Sequence, residues 1–97
     1  MSKTMIKVDG KYLLREGDKI GFIRDEHIWD HNGEKIGYYR DDHVFDMGGH
    51  KVAFLQNNFI CFNESSRRIR IEDNNREVVG GGLSDLERAA VRVLLGD

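Results

Sequence analysis

The side chains best suited to hold a metal ion are the four histidines of this sequence. His27 and His43 occupy the same position in two consecutive repeats, while His31 and His50 lie in or beside the connecting segments. In a flat sheet, His27 and His43 would stand on strands separated by one other strand, about 9–10 Å apart. A shared zinc ion needs each ring nitrogen at about 2.0–2.1 Å. We therefore predict no metal site, and we interpret these rings as repeat positions that pack over neighbouring aromatic side chains.

No group of residues has the spacing of a catalytic site. Cys61 occupies a position that holds an aromatic residue in the other repeats, so we expect a buried and inert thiol. The three glycines at 80–82 lack the lysine of a phosphate-binding loop, although a helix N-terminus can bind an anion without one. The acidic pairs Asp25-Glu26 and Asp41-Asp42 suit turns better than a calcium loop. We predict a protein that is not an enzyme and has no cofactor.

Composition narrows the class of partner. A chain of 97 residues is one domain, which we assign to residues 1–97. A net charge of -2 gives no general attraction to nucleic acid or to an anionic membrane. The basic segment that starts at Arg67 is interleaved with acidic residues, and no apolar run approaches the ~20 residues that span a bilayer. We expect a cytoplasmic protein that binds neither nucleic acid nor membrane.

The elements that must position these residues come from an internal repeat of 16 residues. Each unit consists of a strand, a two-residue turn, a second strand and a four-residue turn. Connections this short favour sequential antiparallel pairing. We predict an all-β fold, an antiparallel meander of hairpins that is curled or closed. The repeats are placed at about 3–18, 19–34, 35–50, 51–67 and 68–82.

The turns also predict the register and the two faces of the sheet. The two-residue turns pair Phe22 with Trp29, and the four-residue turn sets Asp30 opposite Lys35. Because side chains alternate between faces, one face collects most of the aromatic residues, and we assign that face to the core. The predicted core residues are Ile20, Phe22, Trp29, Ile36, Tyr38, Phe45, Val52, Phe54, Cys61, Ile69 and Ile71.

A helix is predicted at residues 84–95. Ser84 followed by Glu87 forms a capping box, and Gly96 suits the position just after a helix. The helix has an apolar stripe that must pack on the sheet or fill the middle of a curled one. The sequence leaves these two positions open.

The second face of the sheet carries a further apolar patch, which we predict to be the binding surface. Contiguous apolar patches of this kind usually mark an interface, and a two-fold dimer is the commonest way to cover one. We therefore predict a homodimer. The patch residues are Ile23, Ile28, Tyr39, Val44, Leu55, Ile60 and Phe62.

The repeat phrases Lys-Ile-Gly-Phe-Ile and Val-Phe-Asp-Met-Gly-Gly-His-Lys-Val-Ala-Phe resemble the small bacterial proteins known as 4-fold beta flower proteins. The resemblance covers about residues 11–62 and implies a fold of hairpin repeats. It carries over no catalytic residue, and the predicted C-terminal helix departs from it. The strand phrases are also similar, more loosely, to tubby-like barrels, in which a C-terminal helix threads the barrel.

The predicted function is that of a non-enzymatic interaction module that associates with itself or with another protein. Two alternatives stay open. The first is an immunity-type or accessory protein that binds and blocks another protein. The second is a small-ligand binder in which Trp29, Phe45 and Tyr38 line the inside of a barrel.

Overall fold

A computed structural model describes residues 5–96, which form a ten-stranded sheet and two helices. Residues 3 and 4, with which the first predicted repeat begins, lie outside the described residues. In chain order, the strands and helices are β1 (Ile6–Asp9), β2 (Tyr12–Arg15), β3 (Asp18–Arg24), β4 (His27–Asp30), β5 (Lys35–Arg40), β6 (His43–Asp46), β7 (Lys51–Gln56), β8 (Phe59–Phe62), β9 (Arg68–Arg70), α1 (Ile71–Asn74), β10 (Val78–Val79) and α2 (Asp85–Leu95).

The sheet is the predicted antiparallel meander. Strands β1 to β9 pair in sequence order, and β10 joins the free side of β1 in parallel. The sheet does not close, because β9 and β10 are its two edges within the described residues. It is nevertheless curled, since α2 contacts both β7 and β10. In a flat sheet these two strands would lie about 33 Å apart, which is much wider than a helix.

The two-residue turns form as predicted in the second, third and fourth hairpins. Both central residues of each turn have positive φ, which is the conformation of a type I′ turn. The residues are Asp25 and Glu26, Asp41 and Asp42, and Asn57 and Asn58, with φ between 51° and 70°.

The prediction that the last repeat, at 68–82, forms a hairpin is wrong. Asn74 ends α1 and Asn75 has a φ of -68°, so these two residues do not form a two-residue turn between strands. The segment instead leads from β9 through α1 to β10. Because β9 and β10 are opposite edges of the sheet, a two-residue hairpin turn does not join them, and α1 lies in the connection that brings β10 beside β1.

The predicted register holds at the two-residue turns and changes at the longer ones. Phe22 pairs with Trp29 as predicted, but Trp29 faces Lys35 because a β-bulge inserts Ile36. Equivalent bulges occur between β2 and β3 and between β6 and β7, where they insert Ile20 and Val52. A bulge adds one unpaired residue and changes the direction of the side chains around it.

The aromatic face is not the core, so that part of the prediction is wrong. Its aromatic residues lie on the outer, convex face and are partly exposed, although the bulge residues Ile20, Ile36 and Val52 do pack against the core, as do Ile69 and Ile71. The fully buried side chains of the strands belong to the opposite face, on which α2 packs. The aromatic residues and the cysteine that leave the predicted core are Phe22, Trp29, Tyr38, Phe45, Phe54 and Cys61.

The patch predicted to bind a second subunit is the core of this subunit. Ile28, Val44 and Ile60 are fully buried, and Ile23 and Tyr39 are 9% exposed. Leu55 and Phe62 are partly buried and pack against the same cluster. Because these residues belong to the core cluster that also includes α2, the predicted interface is wrong in its location. The residues concerned are Ile23, Ile28, Tyr39, Val44, Leu55, Ile60 and Phe62.

Helix α2 occupies the concave side of the sheet. Its capping box forms, with the Ser84 hydroxyl accepting from the backbone N–H of Glu87. Ala89, Ala90 and Val91 are completely buried, and at the other end the Arg15 side chain donates to the carbonyl of Leu95 over 3.1 Å. The predicted helix is therefore confirmed, and it fills the inside of the curl.

The helix approaches the sheet closely because the strands carry small residues beneath it. Gly21, Gly37 and Ala53 occupy the same repeat position, and all three are buried. A methyl group added to Gly37 would lie 2.5 Å from the carbonyl oxygen of Phe45 and 2.6 Å from Cδ1 of Leu94. Such contacts are too short for two atoms in van der Waals contact, so glycine is required at this position.

Candidate functional site on the outer face

A band of aromatic rings crosses the outer face of the sheet from β2 to β7, and we call it the outer band. Every ring in it is partly exposed, and Tyr12, at 38%, is the most exposed of its large apolar residues. The residues reach this face because they alternate along each strand with buried residues of the inner face. The outer band consists of Tyr12, Phe22, His27, Trp29, Tyr38, His43, Phe45 and Phe54.

Neighbouring rings in the outer band are in contact. Phe22 stacks on Trp29, with centroids 5.4 Å apart and ring planes at 12°. The equivalent pair of the next repeat, Tyr38 and Phe45, has centroids at 4.7 Å and an angle of 8°. Cross-strand aromatic pairs of this kind contribute about 0.5–1.5 kcal/mol beyond the area that they bury. Stacking also means that one face of each of these rings is already covered.

Basic side chains accompany these rings. The ammonium of Lys19 lies 4.2 Å from the centroid of Tyr12, and that of Lys35 lies 5.3 Å from the centroid of Trp29. Lys19, Lys35 and Lys51 precede the bulge residues of β3, β5 and β7. Lys35 and Lys51 are paired opposite Trp29 and Phe45, so the repeated bulge is what brings a lysine to the aromatic face.

His27 and His43 are oriented identically. Nδ1 of His27 lies 2.7 Å from the carbonyl oxygen of Asp25, and Nδ1 of His43 lies 2.8 Å from that of Asp41. A carbonyl oxygen only accepts, so Nδ1 must be the donor in both rings and Nε2 carries the lone pair when the ring is neutral. The two rings pack beside Tyr38 and Phe54, as the sequence predicts for aromatic neighbours.

A groove of about 280 Å³ opens in the outer band at the third hairpin. Arg40 and Lys51 stand at its sides, and aromatic rings line it. Arg40 forms only a loose and exposed ion pair with Asp41, at 3.7 Å, which contributes little to stability. The groove is lined by Tyr38, Arg40, Asp41, His43, Phe45 and Lys51.

The second hairpin carries matching residue types at most of the equivalent positions, with an indole in place of a phenyl ring. Trp29 replaces Phe45, and its Nε1–H donates to the carbonyl of Arg24 over 3.0 Å. The Arg24 guanidinium lies 5.8 Å from the centroid of the Trp29 ring, with Lys35 near the same ring. A cation over an indole is a favourable contact. Arg24 and Lys35 make this contact in the second hairpin, whereas the equivalent Arg40 and Lys51 line a groove in the third.

The repeated aspartates of the longer turns have a structural role. The carboxylate of Asp30 accepts from the backbone N–H groups of Asn32 and Glu34, and Asp46 accepts from Gly48 and His50 in the same way. The backbone hydrogen bond from His50 lowers the pKa of Asp46 below its ordinary value. The cross-strand pairing of Asp30 with Lys35 that the sequence predicts is therefore replaced by a capped turn.

Cys61 is placed differently from the prediction. It is a free cysteine, partly exposed on the outer face opposite Phe54, where the sequence predicts a buried thiol. Among residues 5–96, no three His, Cys, Asp or Glu side chains are grouped so as to hold a metal ion. Within the same residues, no helix is long and apolar enough to cross a membrane.

The outer band was not predicted from the sequence, because its aromatic rings were assigned to the core. Two features of the sequence could have revealed it. The inner-face position of consecutive repeats holds Gly21, Gly37 and Ala53, which is the pattern of a surface that a helix approaches closely. Lysine and arginine recur around the aromatic residues, and charged residues are depleted in cores.

The alternative in which Trp29, Phe45 and Tyr38 line an internal cavity is wrong, because these rings face outward and α2 fills the concave side. A search of curated proteins and a search of solved structures each return no match. The model of the family described as 4-fold beta flower protein matches residues 4–77, a range that includes all four hairpins and stops before β10 and α2. The resemblance to tubby-like barrels finds no support in these comparisons, and the chain belongs to the 4-fold beta flower family.

Proposed function

We propose that this chain is a non-enzymatic interaction module that binds protein partners, a second copy of itself among them, through the outer band. The observation that carries the proposal is the continuity of the band. Partly exposed rings follow one another from Tyr12 to Phe54 on adjacent strands, and no element among residues 5–96 lies over them. Contiguous exposed apolar patches usually mark interaction surfaces.

The residue types support binding rather than catalysis. Aromatic residues and arginine are enriched where proteins contact one another, because they combine a large contact area with a polar or charged group. The clear pKa shifts at Tyr39 and Asp46 both have structural causes, since Tyr39 is bonded to Glu87 beneath α2 and Asp46 caps its turn. These shifts therefore do not mark a catalytic group.

A second copy of the chain is the simplest partner for such a surface. In a two-fold dimer the same patch faces itself, so ring packs against ring and the exposed apolar area of both copies is removed together. The homodimer proposed here therefore uses the outer band, and the face beneath α2 has no part in it.

Sedimentation velocity across a concentration series tests this proposal. We expect the wild type to form a dimer and Tyr38→Lys combined with Phe54→Lys to be monomeric, with an unchanged far-ultraviolet circular dichroism spectrum. Met47→Lys is the matched control, because Met47 is an apolar side chain that is 48% exposed in a turn outside the outer band. It should dimerise as the wild type does. A wild type that stays monomeric at millimolar concentration, or a band variant that still dimerises, would remove the proposed self-association.

A further inference from the structure

We infer that the groove of the third hairpin is a carboxylate-binding pocket that receives an acidic side chain from a partner polypeptide. This inference rests on the proposed function, since it identifies the partner chemistry of one part of the outer band. Its basis is the difference between two copies of one repeat. Arg40 and Lys51 line a groove around Phe45, whereas the equivalent Arg24 and Lys35 lie against the indole of Trp29.

The charges at the groove favour an anion. Arg40 at the end of β5 and Lys51 at the start of β7 both line it. The single acidic lining residue, Asp41, holds Arg40 at 3.7 Å with both side chains largely exposed. An ion pair of this kind is weak, so an arriving carboxylate can replace it. Arginine offers a planar set of donors that matches a carboxylate with two parallel hydrogen bonds.

The aromatic rings favour a carboxylate with apolar neighbours. Tyr38 and Phe45 stack on each other at 4.7 Å, and His27 lies on Tyr38 at 5.5 Å. Because Phe45 covers one face of the Tyr38 ring and His27 lies beside the ring, we infer that a ligand in the groove meets ring edges. A ring edge carries the positive end of the aromatic quadrupole, so it is compatible with a nearby carboxylate oxygen and with aliphatic groups.

The same geometry disfavours single-stranded nucleic acid. Proteins that bind such strands offer open ring faces on which successive bases stack. Here stacking covers one face of each ring in the pairs Phe22–Trp29 and Tyr38–Phe45, and Lys35 lies near the Trp29 ring. A phosphate backbone would also pass the acidic turn residues Asp25 and Asp41, which stand beside Arg24 and Arg40. A polypeptide can place one carboxylate in the groove and apolar side chains around it.

The size of the groove limits what enters it. At about 280 Å³ it is slightly smaller than the roughly 300–1,000 Å³ pockets that hold drug-sized ligands. One glutamate or aspartate side chain fits this volume, while the rest of the partner lies along the outer band. The groove therefore acts as a specific anchor within a broader contact surface.

The second hairpin supplies the matched control for the experiment. Phe45→Trp gives the third hairpin the residue that the second hairpin already accommodates, so it should fold, and it should place an indole beneath Arg40 and Lys51. Trp29→Phe should open an equivalent groove between Arg24 and Lys35. Asp41→Asn removes the competing carboxylate, and asparagine suits this turn position because Asn57 has it in the fourth hairpin with a φ of 51°.

The probe is a short fluorescein-labelled peptide with blocked ends, in which glutamates flank one phenylalanine, and binding is followed by fluorescence anisotropy and calorimetry. We expect one peptide per wild-type chain. The Kd should rise about tenfold or more after Lys51→Gln, after Phe45→Trp, or when glutamine replaces the glutamates of the peptide. Asp41→Asn should tighten binding, and Trp29→Phe should raise the stoichiometry to two. Lys7→Gln, on exposed β1, is the charge control and should bind as the wild type does.

Equal binding by the wild type and Phe45→Trp would overturn the inference, as would preferential binding of an oligothymidylate over the glutamate peptide. Dimerisation of the wild type through the outer band is scored separately in the sedimentation experiment. Peptide binding is measured at protein concentrations below those at which the wild type dimerises, because the dimer would cover the groove. A wild type that dimerises at high concentration but does not bind the peptide as a monomer contradicts the carboxylate pocket alone. A wild type that neither dimerises nor binds the peptide contradicts both proposals.

Discussion

The two faces of this sheet are both apolar, yet they bury their residues in different ways. The inner face is built from aliphatic and very small residues, and a helix lies on it at close distance. The outer face carries large aromatic rings that stack on rings of the neighbouring strand, with lysine and arginine side chains beside them. Ring-to-ring contact needs no second layer, whereas an aliphatic face must be covered by another element.

This difference shows how a sheet can present apolar residues on both sides and still have one core. Ile28 and Trp29 are neighbours in β4 and point in opposite directions. Ile28 is fully buried under α2, while Trp29 is partly exposed and is held by Phe22, Lys35 and the carbonyl of Arg24. Size and hydrophobicity alone would assign Trp29 to the core, but the helix selects the face that it can approach.

The strongest test compares these two adjacent residues. Ile28→Ala removes a buried side chain beneath the helix and leaves a cavity, so we expect a loss of about 2–5 kcal/mol in the free energy of unfolding. Trp29→Ala removes a larger side chain from the outer face, where partial exposure and one stacked neighbour limit the loss to about 1–2 kcal/mol. Urea denaturation of both variants measures the difference.

The order of the two effects is the decisive result. A larger loss for Trp29→Ala than for Ile28→Ala would mean that the outer face is buried in solution, either as the core or in a stable oligomer. Repeating the denaturation at several protein concentrations separates these two explanations, because only an oligomer makes the apparent stability depend on concentration.

The close approach of α2 gives a second test. Gly37→Ala adds a methyl group that meets the Phe45 carbonyl and Leu94 at 2.5 and 2.6 Å, so we expect a loss of about 1–3 kcal/mol from overpacking. Gly48→Ala is the control, since its added methyl group meets only the exposed His50 ring and the Asp46 carboxylate, at 3.1 Å or more. Thermal unfolding of both variants measures the effect. A Gly37→Ala variant as stable as the wild type would show that the helix is not packed on this face.

The strands and turns could be predicted from the sequence because their signals are local. A repeat with polar two-residue turns fixes the hairpins, and the observed pairs Phe22–Trp29 and Tyr38–Phe45 follow by counting from each turn. The helix at 84–95 could also be predicted, since its capping box and apolar stripe lie within a few residues of each other. The chain order of a meander then needs no further information.

The choice of core face could not be obtained in this way, because it depends on contacts between distant parts of the chain. Both faces alternate correctly with period two, so periodicity alone does not distinguish them. The β-bulges add to the difficulty. Each turns a lysine such as Lys35 toward the aromatic face and an apolar residue such as Ile36 toward the core, against the simple alternation.

The candidate site was hidden by the same error. Once the aromatic rings were assigned to the interior, the lysines and arginines beside them read as ordinary surface charges. The residues around the groove differ between the two repeats at only two positions, Tyr38 for Phe22 and Phe45 for Trp29, and the consequence appears only when Lys51 and Arg40 are placed in space. The last repeat also departs from a hairpin because β10 pairs with β1, a contact between the first and the last strand of the described residues.

The smallest expected effect concerns the neighbouring residues Tyr38 and Tyr39, which again face opposite sides. The hydroxyl of Tyr39 donates to a carboxylate oxygen of Glu87 in α2 over 2.9 Å, so it joins the inner face to the first turn of the helix. Tyr39→Phe should cost about 1 kcal/mol at neutral pH, and Tyr38→Phe should stay within about 0.5 kcal/mol of the wild type.

The pH dependence of that difference identifies its cause. Burial and the hydrogen bond to Glu87 raise the pKa of Tyr39 above its ordinary value near 10. A raised pKa in the folded state favours the protonated phenol, so its contribution to stability is complete below about pH 10 and is lost as the pH rises above it. Urea denaturation from pH 8 to pH 11 should therefore bring the wild type and Tyr39→Phe together at alkaline pH. Two curves that stay parallel over this range would show that the hydroxyl does not bond to Glu87.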